Sequence, residues 1–470
     1  MTTLGQIAVP TTKKVKDAEA FLKGKHNQLS AYESLENLVV DGEDDLDQST
    51  YSGLMHHMLA IRAALAKGLW QAEVYVGVSI IDELVFQSAK KAPSQICQDV
   101  LSFLTKSHAG KAGFVLYPLH GFGIEQAPLL RSDPALKPHL HFQKFGICFC
   151  PQTNSFEVAT KRVSEMASRL GVVGKIDPSD LRHHTNAGAM DWFTRNPLMM
   201  VKIASHTGDY YENQFVYTLK IRIAATLAAM LYALGADRGH QVEKFVSSAS
   251  INNWETLDIR HYLIGEARDK KSDPVDLRRV PMNVAALDLA RLSDLTLTLS
   301  SKTLNLAFLK SARRSLVLAL KTVESGHLTH VNIASSDKVR RQVFARIVTA
   351  LDWYRQSFSA RVTGDEAVVA LAVAFETLLT DAYARGVSAR IQRRVRICLR
   401  GKRGVADYLA AIISVMEARG AIVHNGSTVK EAAIIKAQAA FALCFETIVA
   451  RLPNLGTSLD QPIGTMLGDL

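Results

Sequence analysis

Two side chains near the end of the sequence have the types and the spacing for phosphate chemistry. Arg419 and His424 lie five positions apart in the segment ARGAIVHNG, residues 418–426. An imidazole titrates near neutral pH, so it can take a proton from a ribose 2′-hydroxyl or return one to a leaving oxygen. A guanidinium stays charged and can bind two phosphate oxygens, which stabilises negative charge in the transition state. No other histidine in the sequence follows an arginine by five to seven positions.

Arg419 occupies a position where a helix would normally bury an apolar side chain. It continues a stripe of apolar residues spaced three or four apart, namely Val405, Leu409, Ile412 and Met416. Glu376 is likewise the single charge in the interior of an apolar helix, residues 365–381. Because a buried charge is costly unless it is paired, the two are natural partners. Either they form a structural ion pair that fixes the helix register, or Glu376 orients Arg419 for catalysis.

The predicted end of this helix places the histidine beside the arginine. The helix is expected to span about residues 404–419, so His424 would lie just past its end, near the last carbonyl groups. Across such a helix end, Arg419 and His424 could converge on one phosphate.

A basic segment precedes this motif, and no acidic residue interrupts it. Its members are Arg385, Arg390, Arg393, Arg394, Arg396, Arg400, Lys402 and Arg403. The candidates for holding the phosphates of RNA are Arg390, Arg393, Arg394, Arg400, Lys402 and Arg403. A solvated helix face is the alternative, but such a face usually mixes both signs of charge. The net charge of the chain, +10, also favours an anionic partner.

These motifs resemble the HEPN superfamily, and most of all its Apea-like domains. The resemblance covers about residues 335–455 and is carried by the runs ALDWYRQSF, AVAFETLLTD and YLAAIISVMEARGAIVHNG, with the arginine-rich helix before the last run. The hallmark of the family is an arginine, four to six residues and a histidine, which matches Arg419 and His424. The glutamate that the family has in an E-x-L-L context matches Glu376.

The resemblance implies a four- or five-helix bundle that forms a homodimer, with two motifs in one composite cleft. It also implies a metal-independent endoribonuclease without a cofactor, of the kind found in antiviral defence and in toxins. His424 would be the general acid and base, Arg419 would stabilise the phosphorane, and Glu376 would orient Arg419. Gly420 and Asn425 depart from the pattern of active members, so a non-catalytic dimerisation and RNA-binding module is the alternative.

The elements that must position these residues are mostly helices. The sequence predicts a mainly α protein, in which a larger, mostly helical N-terminal region with a few short strands precedes a C-terminal antiparallel helical bundle. The bundle helices are expected at about 336–358, 365–384, 388–400, 404–419 and 428–451. The expected domains are a weakly ordered segment 1–50, a regulatory or recognition region 51–325, the HEPN-like domain 335–455 and a tail 456–470, with a linker at 324–335.

Two stretches of the N-terminal region allow specific predictions, one about a metal site and one about a connection. His139 and His141 alternate as they would on a strand, and a polar strand face is favoured over a metal pair because no third ligand lies at a standard spacing. Residues 264–281 are charged and contain two prolines, so they predict an exposed connection between elements.

The remaining composition indicates the compartment. The five cysteines are an odd number without a CxxC pair, which argues for reduced thiols and against a cysteine zinc site. The first residues lack the pattern of a secretory signal, and the longest apolar run, 223–236, is too short to span a bilayer. The expectation is a cytoplasmic protein without a membrane, metal or cofactor.

Overall fold

The structure is a computed structural model of the chain. It describes residues 7–469 except for 73, 75, 92–94, 107–111, 119–121, 126–139, 143–144, 151–152, 154, 173, 188–189, 205–213, 241–260, 268–272, 282–296, 333–336, 359–363, 382–385 and 426–428. The described residues are mainly helical, with the strands confined to the N-terminal part, so the predicted fold class is confirmed.

Helices make up the first hundred residues. They are α1 (Lys13–Gly24), α2 (His26–Leu29), α3 (Leu35–Asp45), α4 (Gln48–Gln71), α5 (Val78–Lys90) and α6 (Ile96–Lys106). The prediction that residues 1–50 are weakly ordered is wrong for α1 and α3. Val15, Ala18 and Leu22 recur on one face of α1 and are buried, and α1 packs along α4. The lysines on the opposite face obscured this stripe.

A six-stranded sheet follows. Its strands are β1 (Ala112–Pro118), β3 (Leu140–Phe142), β4 (Ile147–Cys150), β5 (Leu198–Ala204), β6 (His261–Glu266) and β7 (Asp276–Pro281). Their order is β3-β4-β5-β1-β6-β7, and every neighbouring pair is antiparallel. A separate parallel pair joins β2 (Phe122–Glu125) and β8 (Leu297–Ser300). The exposed connection predicted at 264–281 is wrong, because these residues supply part of β6 and all of β7. Charges and a proline on an edge strand are common, since they discourage further pairing.

Helices cover both faces of this sheet. Phe114 and Leu116 of β1 pack in one apolar cluster with α7 (Phe156–Arg169), α8 (Pro178–Ala187) and α9 (Trp192–Arg195). Val115 and Tyr117 point the other way, into the larger core that contains α10 (Gln214–Asp237). This alternation is the period-two pattern of a strand that is buried on both sides.

The C-terminal part is the predicted helical bundle. Its helices are α13 (Lys338–Gln356), α14 (Gly364–Leu379), α15 (Val387–Cys398), α16 (Val405–Asn425) and α17 (Glu431–Ala450), preceded by α11 (Ser301–Leu304) and α12 (Ala307–His327). The most apolar of them, α14, packs against α13, α15, α16 and α17. Its central place explains why it is apolar on nearly every side.

The bundle shares its core with the N-terminal part. α10 packs on α12 and α17, and Arg222 of α10 pairs with Asp352 of α13. The linker predicted at 324–335 is wrong up to Asn332, because α12 reaches His327 and a π-helix spans Leu328–Asn332. The other predicted domain limits stay a prediction.

Two helices of the described residues are long and apolar enough to cross a membrane by length and composition alone. They are the Leu219–Asp237 part of α10 and all of α17, and most of each is buried in the protein. Their apolar surface therefore serves the shared core of the sheet and the bundle.

The last residues are docked on the bundle. After a 3-10 turn at Leu452–Asn454, the chain forms a short helix, α18 (Pro462–Leu467), that contacts α13 and α15. The backbone N–H groups of Ile463 and Gly464 donate to the carboxylate of Asp381, at 2.6 and 3.3 Å. The predicted tail at 456–470 thus contains a short helix that packs on the bundle.

Candidate active site at one end of the helical bundle

Two helices of the bundle carry the predicted arginine and glutamate. The connections 380–386 and 399–404 are short, so α15 runs against both of its neighbours and α14 and α16 run in the same direction. Glu376 lies in the last turn of α14, and Arg419 lies near the end of α16. Since α14 and α16 pack against each other, both residues lie at the same end of the bundle.

Arg419 and Glu376 form an ion pair, as the sequence predicts. Nη1 of Arg419 donates a hydrogen bond to Oε1 of Glu376. The arginine side chain is 38% exposed and the glutamate side chain 26% exposed. The pair therefore lies at the edge of the core, where a solute can reach it. Within the described part of the chain, no other hydrogen bond engages this guanidinium, so its remaining N–H groups can donate to a ligand.

His424 lies inside α16, because the helix continues to Asn425. The expectation that it follows the helix end is wrong, since Gly420 does not stop the helix. Positions five apart on an α-helix are separated by about 140° around the axis and by about 7.5 Å along it. The backbone of a single chain thus directs positions 419 and 424 to different sides of α16. The described structure does not include the side chain of His424.

Arg346, which sequence analysis missed, fixes the end of the helix that carries Glu376. Its Nη2 donates to the backbone carbonyls of Thr377 and Thr380, at 3.1 and 2.6 Å. A cation at the carbonyl end of a helix also stabilises the helix dipole. The signal was available, because Arg346 interrupts the buried stripe of α13 next to Ile347.

Arg394 is not on the basic surface that the sequence predicts. Its side chain is buried and 1% exposed. Its guanidinium donates to the carboxylates of Asp381 at 2.8 Å and Asp469 at 2.7 Å, and to the carbonyl of Leu379 at 2.7 Å. The prediction that Arg394 binds RNA is therefore wrong. The reason is helical spacing, since Arg394 shares the core-facing side of α15 with Ile391 and Cys398.

The other predicted phosphate contacts differ in exposure. Arg400 and Arg403 are exposed, and Arg390 is half-buried. Lys402 lies 3.8 Å from Glu446 and is 43% exposed. Arg393 is more than half exposed, but it pairs with Asp469. These interactions reduce, without cancelling, the positive charge that this surface offers to a polyanion.

The exposed basic residues form a line along the bundle. Arg393 and Arg396 are spaced three apart, which places them on one side of α15, and Arg400 follows in the turn just past the end of this helix. Arg390 lies near the end of the bundle that holds Arg419, whereas Arg403 precedes α16. The start of α16 is about 21 Å from position 419, at about 1.5 Å per residue. A single-stranded nucleic acid several nucleotides long could contact both ends.

The histidines of the described residues do not form a metal site. His183 and His184 lie on α8, and Nε2 of His184 is 3.5 Å from Asp180. In the described part of the chain, no three His, Cys, Asp or Glu side chains lie close enough to hold a metal ion. His139 and Arg385 lie outside the described residues, and the described structure places His141 in β3 by its backbone alone.

Comparisons of the chain with family models, with curated proteins and with solved structures give no match. The chemistry of this site is therefore inferred from the residues of the chain itself.

Proposed function

We propose that this protein is a metal-independent endoribonuclease of the HEPN type, acting in the cytoplasm as a homodimer. The observation that carries the proposal is the Arg419–Glu376 ion pair, which is one-quarter to two-fifths exposed at the end of the bundle. A pair at the surface, with unused N–H groups on the arginine, fits a site that binds an anion.

The proposed reaction needs one proton acceptor and one cation. His424 takes the proton of a ribose 2′-hydroxyl, and the 2′-oxygen attacks the adjacent phosphorus. Negative charge builds up on the non-bridging oxygens of the phosphorane, and Arg419 binds these oxygens. The bond from phosphorus to the 5′-oxygen then breaks, and protonated His424 donates its proton to that oxygen, which returns the imidazole to its neutral form. The products are a 2′,3′-cyclic phosphate and a 5′-hydroxyl.

The cleft in this proposal is shared between two copies of the chain. Within one copy, positions 419 and 424 lie about 140° apart around α16. A two-fold arrangement of two α16 helices would let Arg419 of one copy face His424 of the other. Glu376 holds its own Arg419 in place, so it is a positioning residue. The exposed arginines of α15 hold the strand on the approach to the cleft.

The experiment that tests the function measures cleavage of a labelled single-stranded RNA with an excess of chelator present. The wild-type protein is expected to leave 2′,3′-cyclic phosphate ends. His424→Ala and Arg419→Ala are each expected to lower the rate by about 100-fold or more, the usual contribution of a general acid–base group. The matched control is His56→Ala, which removes an exposed histidine from α4 and should leave the rate unchanged. Cleavage that His424→Ala leaves unchanged would refute the mechanism.

A non-catalytic module that dimerises and binds RNA is the second candidate. The different directions of positions 419 and 424 favour it, because they leave a single copy without a convergent pair. In that case RNA would bind with a strong dependence on salt but would remain intact. The His424→Ala protein would then bind RNA as the wild type does.

A further inference from the structure

A cavity of about 640 Å³ lies between α7 and the segment that leads into α8. It is on the face of the sheet opposite to α10 and is separate from the Arg419 site. Its apolar wall includes Ala167 and Ile176, which are buried, and Pro178 at the exposed edge. Pockets of about 300–1,000 Å³ with an apolar wall and a few polar groups are typical of small-molecule sites.

The backbone beside this cavity is held by close contacts. Gly174 has a φ of 134°, and a Cβ atom there would lie 2.9 Å from Cγ2 of Val275 and 3.1 Å from the carbonyl oxygen of Asp273. The next residue, Lys175, forms a β-bridge with Pro274. The rim is thus anchored to the chain before β7, so the cavity exists before any ligand binds.

The rim of the cavity is positively charged. Lys161, Lys175 and Arg182 line it, and Glu157 is the one carboxylate among its described lining residues. Glu157 pairs with Arg182 at 3.1 Å, and the arginine side chain remains 53% exposed. The surplus of cations favours a ligand with a negative charge.

A flat surface adjoins these cations. The guanidinium of Arg182 lies 4.1 Å from the centre of the Phe156 ring, and Phe193 packs against Phe156 with ring centres 5.6 Å apart. The stacked guanidinium and ring support each other, and a planar ring of a ligand can stack on such a surface.

We propose that this cavity binds a small organic anion that carries an aromatic ring. The ring lies against the apolar wall and the Arg182–Phe156 stack, and the anionic group meets Lys161 and Lys175. The anionic group is a phosphate or a carboxylate. This inference is independent of the proposed nuclease activity.

Binding is tested with two probes and their neutral counterparts, by calorimetric titration of the full-length protein. The phosphate probe is adenosine 5′-monophosphate, compared with adenosine, and the carboxylate probe is 2-naphthoate, compared with 2-naphthol. At least one anion is expected to bind with a dissociation constant below about 1 mM, and its neutral counterpart about tenfold more weakly, because the rim cations contribute. The probe that binds identifies the anionic group.

The variants locate the site. Lys175→Glu is expected to weaken binding about tenfold by reversing a rim charge. Lys23→Glu, the same charge change at an exposed position of α1, should leave the affinity unchanged. The inference is overturned if neither anion binds below about 1 mM, a threshold for weak association, or if Lys175→Glu binds as tightly as the wild type.

Discussion

Asp469 accepts a hydrogen bond from the buried guanidinium of Arg394, with 2.7 Å between Nε and Oδ2. A second carboxylate, that of Asp381, lies 2.8 Å from Nη1 of the same arginine. Asp381 in turn accepts the backbone N–H groups that begin α18. This network joins the end of α14, the core side of α15 and the residues after α17. The arginine therefore serves stability, and it does so by fixing the last helix on the bundle.

Removing this arginine is expected to destabilise the protein strongly. In Arg394→Ala, two buried carboxylates lose their shared cation, and breaking such a network typically costs about 3–5 kcal/mol. The measurement is the free energy of unfolding in urea, followed by far-UV circular dichroism. Arg396→Ala, an exposed arginine two positions away, should change it by less than about 0.5 kcal/mol. Equal effects of the two changes would show that the network contributes little.

The same network predicts a dependence of stability on pH. The hydrogen bonds from Arg393, and after them the one from Arg394, lower the pKa of Asp469 in the folded protein. The folded state therefore binds the proton less readily than the unfolded chain, whose aspartate pKa is about 3.9. The stabilisation by Asp469 is complete above that pH and is lost as the pH falls through the lower, folded pKa.

The matched variant for this pH dependence is Asp469→Asn. It removes the titrating group and should be less stable than the wild type at pH 7. The difference in unfolding free energy between the two proteins should shrink as the pH is lowered from about 5 to about 3, the range in which the unfolded aspartate titrates. A difference that stays constant over this range would contradict the lowered pKa.

The composite cleft can be tested by mixing two inactive proteins. Arg419→Ala and His424→Ala each remove one half of the proposed site. The cleft of a dimer contains two Arg–His pairs, each formed between the two copies. In a mixed dimer, one pair lacks both side chains, and the other combines the intact Arg419 of one copy with the intact His424 of the other. Mixing the variants under conditions that exchange subunits should restore up to about one-quarter of the wild-type rate, since about half of the dimers are mixed and each has one intact pair. If each site uses side chains of one copy, no activity returns.

The sequence predicted the parts of the structure that follow from helical spacing. Glu376 and Arg419 were paired because each is a lone charge on an apolar face, and such charges seek partners. The same spacing places Arg394 in the core, but the run of basic residues around it concealed the pattern. The partner that made its burial possible, Asp469, lies 75 residues away. No local signal connects the two.

The failures at the helix ends and in the sheet have local causes. The predicted end of α16 near residue 419 is wrong, because the helix passes through Gly420, which is exposed and where an added Cβ would meet nothing. In β7, Arg278 and Arg279 are exposed while Leu277 is buried. Two adjacent charged residues are typical of a loop. They form a strand here because their backbone pairs with β6, whose residues come earlier in the chain.

Two glycines of the bundle helices should respond in opposite ways to alanine. At Gly326 of α12, a Cβ would lie 2.1 Å from the Phe344 ring. Overpacking of this kind costs about 1–3 kcal/mol, which outweighs the gain in helix propensity of about 1 kcal/mol. Gly420 has open space, so Gly420→Ala should raise the free energy of unfolding by up to about 1 kcal/mol. Urea denaturation of both variants measures this, and a stabilised Gly326→Ala protein would contradict the packing of α12 on α13.

The exposed line of Arg393, Arg396 and Arg400 predicts how RNA binding depends on salt. Each phosphate contact with a single strand contributes about 0.7 to the slope of log K against log salt concentration. Replacing Arg396 and Arg400 with alanine should therefore reduce this slope by about 1.4, with weaker binding at low salt. Arg393→Ala should have a smaller effect, because Asp469 already neutralises that side chain. Fluorescence anisotropy with a labelled RNA at several salt concentrations gives the slopes. The control replaces Lys16 and Lys23 on the exposed face of α1 with alanine. If the slope of this control falls as much as the slope of the Arg396 and Arg400 variant, binding depends on net charge and not on this line.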